Sequence, residues 1–155
     1  MMSLLFNFLL MQNLNFLKLQ QINEIASKYK LPLYVYSEKK LLESVESFKN
    51  FPSAFWHTVR FAMKANSNKT ILWIFKKAWL KIDASSEYEV YRAINAWFEG
   101  KDIQISGQEL SEEFEKLLST WVYFVATSLR QLEEYWKLKK WGEDWVRINP
   151  WVWSG

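Results

Sequence analysis

Lys64 stands at the end of the apolar alternation Val59, Phe61, Met63 and just ahead of the polar run Asn66-Ser67-Asn68. That alternation predicts a short strand. The polar run offers N-cap residues for the apolar stretch Ile71, Leu72, Ile74, Phe75, which predicts a helix. A single lysine therefore sits where a strand ends and a helix is about to begin. In parallel α/β proteins this is the carboxyl edge of the sheet, where chemistry is usually built. Two readings fit a lysine there. The commoner is a solvated strand-end ammonium. The other is a Schiff-base lysine, whose amine is partly desolvated so that it is nucleophilic near neutral pH. Spacing does not separate them.

The elements around Lys64 repeat. An amphipathic helix is predicted from about Asn15 to Tyr29, with Phe16, Leu19, Ile22, Ile25 and Ala26 at helical spacing. Pro32–Tyr36 reads as a strand, and Ser37 caps a helix through about Phe48. The lysine strand covers His57–Ala65, and its helix runs to about Ala78. Lys81–Ser86 is the next strand, with Ser86-x-x-Glu89 fitting a capping box, in which each side chain bonds the other residue's backbone N–H. Asp102–Gly107 is a strand, and Ser106-x-x-Glu109 reads as a second box. Val122–Thr127 and Val146–Pro150 are further strands, with Ser128 opening the helix between them. Strands and helices alternating every 20–25 residues or so imply a parallel sheet. Five strands are predicted from His57 onward, preceded by the one at Leu33.

Composition narrows the field. The chain has 155 residues, half of them hydrophobic and about a quarter charged, which suits one globular domain. A net charge of +3 with no basic face gives no support to nucleic-acid binding. There are no cysteines and one histidine, His57, so disulfides and thiolate metal sites are excluded and a zinc site is not expected. His57 lies at the start of its strand, away from the carboxyl edge, and reads as structural. The apolar start Met1–Met11 lacks a basic region and cleavage site, and it is too short to span a bilayer. Residues 1–14 are expected to be an extension outside the fold, with Met11 an alternative start.

Tryptophan and glycine are out of proportion, at 10 and 4. Average glycine usage of about 7% would give roughly eleven. Several tryptophans also stand where glycine belongs. Trp79, Trp97 and Trp121 each follow a helical run, the position at which glycine normally stops a helix. Trp136 and Trp141 flank the end of a fourth helix, and Trp151 follows Asn149-Pro150. A gene in which UGA is decoded as glycine, translated with UGA as tryptophan, gives this pattern. Exchanging all but mid-helix Trp73 would bring both counts to ordinary values.

Phe61-Ala62-Met63-Lys64-Ala65-Asn66 resembles the pyridoxal-phosphate lysine motif of the fold-type III decarboxylases. Further runs match that family in order: Pro32–Tyr36, Asp83–Ala93, Gln104–Leu110, Ser128–Trp136 and Arg147–Gly155, the last on reading Trp as Gly. The resemblance implies part of a (β/α)8 TIM-type barrel, about five of eight strands in a parallel sheet, over residues 15–155. It implies pyridoxal 5'-phosphate as cofactor and Lys64 as the catalytic, cofactor-bearing lysine. It places Asp83 and Arg147 at the cofactor, and Glu89 and Ser128 against substrate or behind the site. Ser86-x-x-Glu89 as a plain capping box and Ser128 as a plain helix cap stay open beside those roles, and for Arg147 so does a structural ion pair.

The nearest branch acts on meso-diaminopimelate. Branches acting on ornithine, arginine or carboxynorspermidine, and a non-catalytic pyridoxal-phosphate carrier, are the alternatives. The family's ring-stacking histidine, glycine-rich phosphate loop, pyridine-nitrogen acid and second domain have no counterpart here. The chain is thus expected to be the amino-terminal part of a cytoplasmic, homodimeric enzyme, and to be poorly soluble and inactive alone.

Overall fold

The computed structural model describes residues 16–140 and 144–148. The extension expected over residues 1–14, Trp141 and the motif residues 149–155 lie outside that range. The chain divides into two compact units, Met1–Leu41 and Leu42–Gly155.

The first unit contains helix α1, Leu19–Lys28. The Gln21 side chain accepts the Lys18 backbone N–H at 2.9 Å, closing the helix start. Its apolar residues Ile22 and Ile25 are half-exposed and none of its residues is buried. The strand expected at Pro32–Tyr36 is not one: residues 33–37 carry no ladder. A strand is defined by a ladder of N–H and C=O groups paired with a neighbouring strand, and no ladder among the described residues includes this stretch. Helix α2, Glu38–Lys49, leads from the first unit into the second.

The second unit is built on five parallel strands: β1 Arg60–Ala62, β2 Lys81–Ala84, β3 Ile103–Ile105, β4 Tyr123–Ala126 and β5 Trp145–Val146. Between them run α3 Lys69–Lys77, α4 Glu87–Asn95, α5 Phe114–Ser119 and α6 Leu129–Leu138. Strand order in space equals order in sequence. Doubly wound sheets reverse direction at a switch point. This sheet does not, and crossovers of one hand then put every helix on the same face. One-way winding of this kind is what closes a barrel.

The core fills the space between sheet and helices. Ile82 and Ala84 of β2, Ile103 and Ile105 of β3, and Phe124 and Ala126 of β4 point to it. Leu72 of α3, Val90 and Ala93 of α4, Leu117 and Leu118 of α5 and Tyr135 of α6 meet them. Alternate residues face the other way: Lys81, Asp83 and Gln104 are polar and only part-buried there, while Val125 of β4 is apolar and buried.

Element boundaries differ from expectation at several places, among them the last strand, which is Trp145–Val146 and leaves out Arg147 and Ile148 of the expected Val146–Pro150. The lysine strand is shorter than His57–Ala65, because the chain tightens after Ala62 into a 3-10 turn, Met63–Ala65, that buries Met63. No helix starts at Ser106; α5 begins at Phe114. The Ser106 hydroxyl donates across the sheet to Asp83 Oδ1 at 3.1 Å. Gly107 beside it approaches β2 so closely that a Cβ would lie 2.4 Å from the Ser85 carbonyl oxygen.

Three helices end alike. Trp79 has φ 61°, Trp97 φ 68° and Trp121 φ 66°, all left-handed, and they are the non-glycine residues with positive φ among those described. Trp136, by contrast, lies inside α6, and Trp145 lies in β5.

Leu72 is fully enclosed, so Leu72→Ala removes contacts that nothing refills. The expected cost is about 2–5 kcal/mol, read as a lowered denaturation midpoint in the full-length protein with an unchanged transition slope.

Candidate functional site at the carboxyl edge of the sheet

Because all five strands run the same way, their carboxyl ends form one edge. Along it stand Lys64 after β1, Ser85 and Ser86 after β2, Ser106 and Gly107 after β3, Thr127 and Ser128 after β4, and Arg147 after β5. Lys64 rides on the 3-10 turn and is exposed. Its amine has no hydrogen-bond or ion-pair partner among the described residues. The turn behind it is fixed: Asn66 Oδ1 accepts the Asn68 N–H at 2.9 Å, and Asn68 Oδ1 accepts the N–H groups of Thr70 and Ile71 at the start of α3. Arg92 of α4 reaches over to donate to Ser67 Oγ at 2.9 Å, tying this turn to the next βα unit.

Asp83 faces away from the helices. Its Oδ1 accepts from Gln104 Nε2 at 3.2 Å and Ser106 Oγ at 3.1 Å, so strands β2 and β3 are joined by side chains as well as by their ladder. Nearer the amino end, the half-buried Arg60 donates to the carbonyls of Ile82 at 3.5 Å and Asp102 at 3.4 Å. Its guanidinium stands over the Tyr123 ring at 5.6 Å. Burial lowers its pKa, opposed by Tyr123, Asp83 and Asp102, and it stays charged.

Glu89 and Gln131 perform the same task on successive units. The N-cap Ser86 Oγ accepts the Glu89 N–H, but the Glu89 carboxylate accepts the N–H of Ser85 at 2.7 Å, one residue before the cap. Ser128 Oγ caps α6 by accepting the Gln131 N–H at 3.2 Å, and Gln131 Oε1 accepts the N–H of Thr127 at 2.7 Å. Both are capping boxes shifted by one position. Gln131 does more. It is 2% exposed, and its Nε2 donates to the carbonyls of Gly107 and Gln108, each at 3.0 Å. It thus holds the loops after β3 and β4 together.

Of the residues expected at the site, Lys64, Glu89, Ser128 and Arg147 all come to the carboxyl edge, and Asp83 sits one residue below it. Among the described residues no hydrogen bond or ion pair joins any of them to Lys64. Arg147 is exposed, and its backbone N–H extends the β4–β5 ladder by donating to Ala126 O at 2.8 Å. His57 lies at the opposite edge, its Nε2 3.1 Å from Phe48 O. Sequence reading did not find Arg92, Gln104 or Gln131. Ser128-x-x-Gln131 has the capping-box spacing and was the one available signal. No cluster of metal-ligating side chains occurs among the described residues, and no helix there is long and apolar enough to cross a membrane.

A one-way parallel sheet with its helices on one face and its strand-to-helix turns gathered at one edge is the architecture of barrel-type α/β proteins. The family model for the pyridoxal binding domain of pyridoxal-dependent decarboxylases matches residues 39–152, and the chain belongs to that family. It is similar to the diaminopimelate decarboxylase of Buchnera aphidicola subsp. Schizaphis graminum, 33% identical over 141 residues, covering 89% of this chain and 32% of that protein. Among solved structures it resembles Helicobacter pylori diaminopimelate decarboxylase complexed with L-lysine, at a TM-score of 0.71 and 25% identity, covering 77% of this chain and 31% of the other. The lysine decarboxylase of Selenomonas ruminantium shares the fold, with a TM-score of 0.72, 20% identity, and coverage of 86% and 36%. The chain thus spans about a third of the length of the curated relatives it matches.

The donor set fits pyridoxal phosphate at one point. An aldehyde cofactor needs an accessible amine, and Lys64 presents one that is unpaired within the described residues.

Two outcomes test this geometry in the full-length protein. Gln131→Leu leaves the Thr127 N–H and the Gly107 carbonyl without the buried carboxamide, and should cost about 2–3 kcal/mol in denaturant titrations. Asp144, whose Oδ2 is buried without a partner among the described residues, has its pKa raised from 3.8 to about 6 by desolvation, against a bond from the Trp145 N–H. Between those values the folded state holds more protons than the unfolded one, so stability falls as pH rises through that window. Asp144→Asn should remove that fall, seen as a midpoint that no longer drops between about pH 4 and pH 6.

Proposed function

We propose that this chain is the amino-terminal portion of a pyridoxal-phosphate-dependent decarboxylase that converts meso-diaminopimelate to lysine and CO2. The observation that carries the reading is Lys64. It lies inside the run Phe61–Asn66, on a braced turn at the carboxyl edge of a one-way parallel sheet. The likeness of the whole chain to diaminopimelate decarboxylases, at 30–33% identity for the first three relatives, favours that substrate over ornithine or arginine. The fold alone is shared by arginine and lysine decarboxylases and does not separate them.

Lys64 is the residue that holds the cofactor. Bound pyridoxal phosphate supplies an electron sink for the pair left behind when CO2 departs. The chain's own residues set the stage for this. The Asn66–Asn68 turn and the Arg92–Ser67 bond fix the backbone that follows Lys64. Asp83, whose Oδ1 accepts from Gln104 and Ser106, puts a carboxylate on the face of the sheet that carries no helices. Arg147 offers a cation at the far end of the edge for an anionic group of cofactor or substrate. Glu89 and Ser128 act through the backbone, holding the turns after β2 and β4.

The test uses the full-length protein. Borohydride reduction followed by peptide mapping should place a pyridoxyl group on Lys64, and Lys64→Ala should abolish both that label and the absorbance of bound cofactor. CO2 release from meso-diaminopimelate should fall by about 10³-fold or more. A label that survives in Lys64→Ala would overturn the assignment of the lysine. Faster CO2 release from ornithine or arginine than from meso-diaminopimelate would overturn the substrate.

A further inference from the structure

Trp79, Trp97 and Trp121 hold a backbone conformation that suits glycine, and each holds it in the same motif. Each is the second residue past a helix end, where a left-handed residue lets the last turn close. After α3 the Trp79 N–H donates to Lys76 O at 2.9 Å and the Leu80 N–H to Phe75 O at 3.0 Å. After α4 the Trp97 N–H donates to Ile94 O at 2.9 Å and the Phe98 N–H to Ala93 O at 3.1 Å. After α5 the Trp121 N–H donates to Leu118 O at 3.2 Å. The residue that follows is buried each time: Leu80, Phe98 and Val122. The helix residues five positions earlier, Phe75, Ala93 and Leu117, are buried as well, as they would be for the hydrophobic contact that accompanies this stop.

At Trp79 and Trp97 everything in the motif is in place except the residue type, and Trp121 shares the left-handed φ and the first of the two bonds. The left-handed region brings Cβ against the following carbonyl, which glycine avoids. A tryptophan there would need a compensating use for its indole. The three side chains are 88%, 54% and 81% exposed. Trp97 touches the Trp73 ring at 4.8 Å and lies under Lys69, contacts open to any surface aromatic, and neither accounts for the backbone. Trp73 shows the contrast: it is an ordinary helical residue inside α3.

We propose that the natural protein has glycine at positions 79, 97 and 121, encoded by UGA in a genetic code that reads UGA as glycine. The scarcity of glycine in a chain with ten tryptophans points the same way but is a separate observation. These three positions lie at the amino edge of the sheet, opposite Lys64. The exchange therefore bears on folding and is independent of the reaction assigned above.

Two measurements test it. The gene should carry UGA at all three codons, and peptides from the protein made in its own cells should weigh less by an indolylmethyl group exchanged for hydrogen at each. UGG codons, or tryptophan-mass peptides, overturn the proposal. In the full-length protein made with the standard code, glycine and alanine are compared at each site, since both remove the indole and only alanine keeps a Cβ. Glycine should favour the folded state over alanine by roughly fivefold at 79, 97 and 121, with the order reversed at mid-helix Trp73. Alanine equal to or better than glycine at the three stops overturns it. The cofactor label on Lys64 should be unaffected by any of these variants.

Discussion

Every strand of the described sheet must point the same way and lie beside the strand made just before it. That constraint sets the rest. Parallel neighbours need a long connection back to the starting edge, so each strand is followed by a helix, and one-handed crossovers pile the helices on one face. The helix-covered face becomes apolar and the other is left to Asp83, Gln104 and Lys81. All the turns that precede a helix then collect at one edge, and with them the helix N-termini. Lys64 owes its position to this winding more than to any contact of its own.

The turns at that edge are rigid because side chains replace missing backbone partners. A helix start leaves N–H groups without acceptors. Asn68, Ser86 and Ser128 each take one or two. Glu89 and Gln131 take the N–H one residue further out, so the bracing extends into the strand end itself. Arg92 and Gln131 then join one unit to its neighbour. The family's chemistry sits on loops, and here those loops are held by a chain of such bonds.

Much of this was legible in the sequence, for identifiable reasons. The strand and helix around Lys64 were marked by apolar alternation and by Asn68, and both depend only on near neighbours. Five strands after His57 were readable for the same reason. What failed depended on distant partners. Pro32–Tyr36 has strand composition, yet it joins no ladder among the described residues. Ser106 has the spacing of a cap, but Asp83 on the adjacent strand takes its hydroxyl. Gln131 looks like an ordinary helix residue until its loops, more than twenty positions back, are seen around it. The left-handed stops were legible as misplaced tryptophans; the structure narrows that pattern to 79, 97 and 121, since Trp136 is helical.

The order of the strands has a bearing on biosynthesis. Since β2 pairs with β1, β3 with β2, and so on to β5, no later segment has to be inserted between earlier ones. Each new strand and helix leaving the ribosome finds its template already in place, and each closure spans a single strand–helix unit. Closing one unit costs less chain entropy than pairing strands far apart in sequence, and chains are made slowly enough for domains to form as they emerge. The sheet can therefore be laid down one unit at a time, in step with translation.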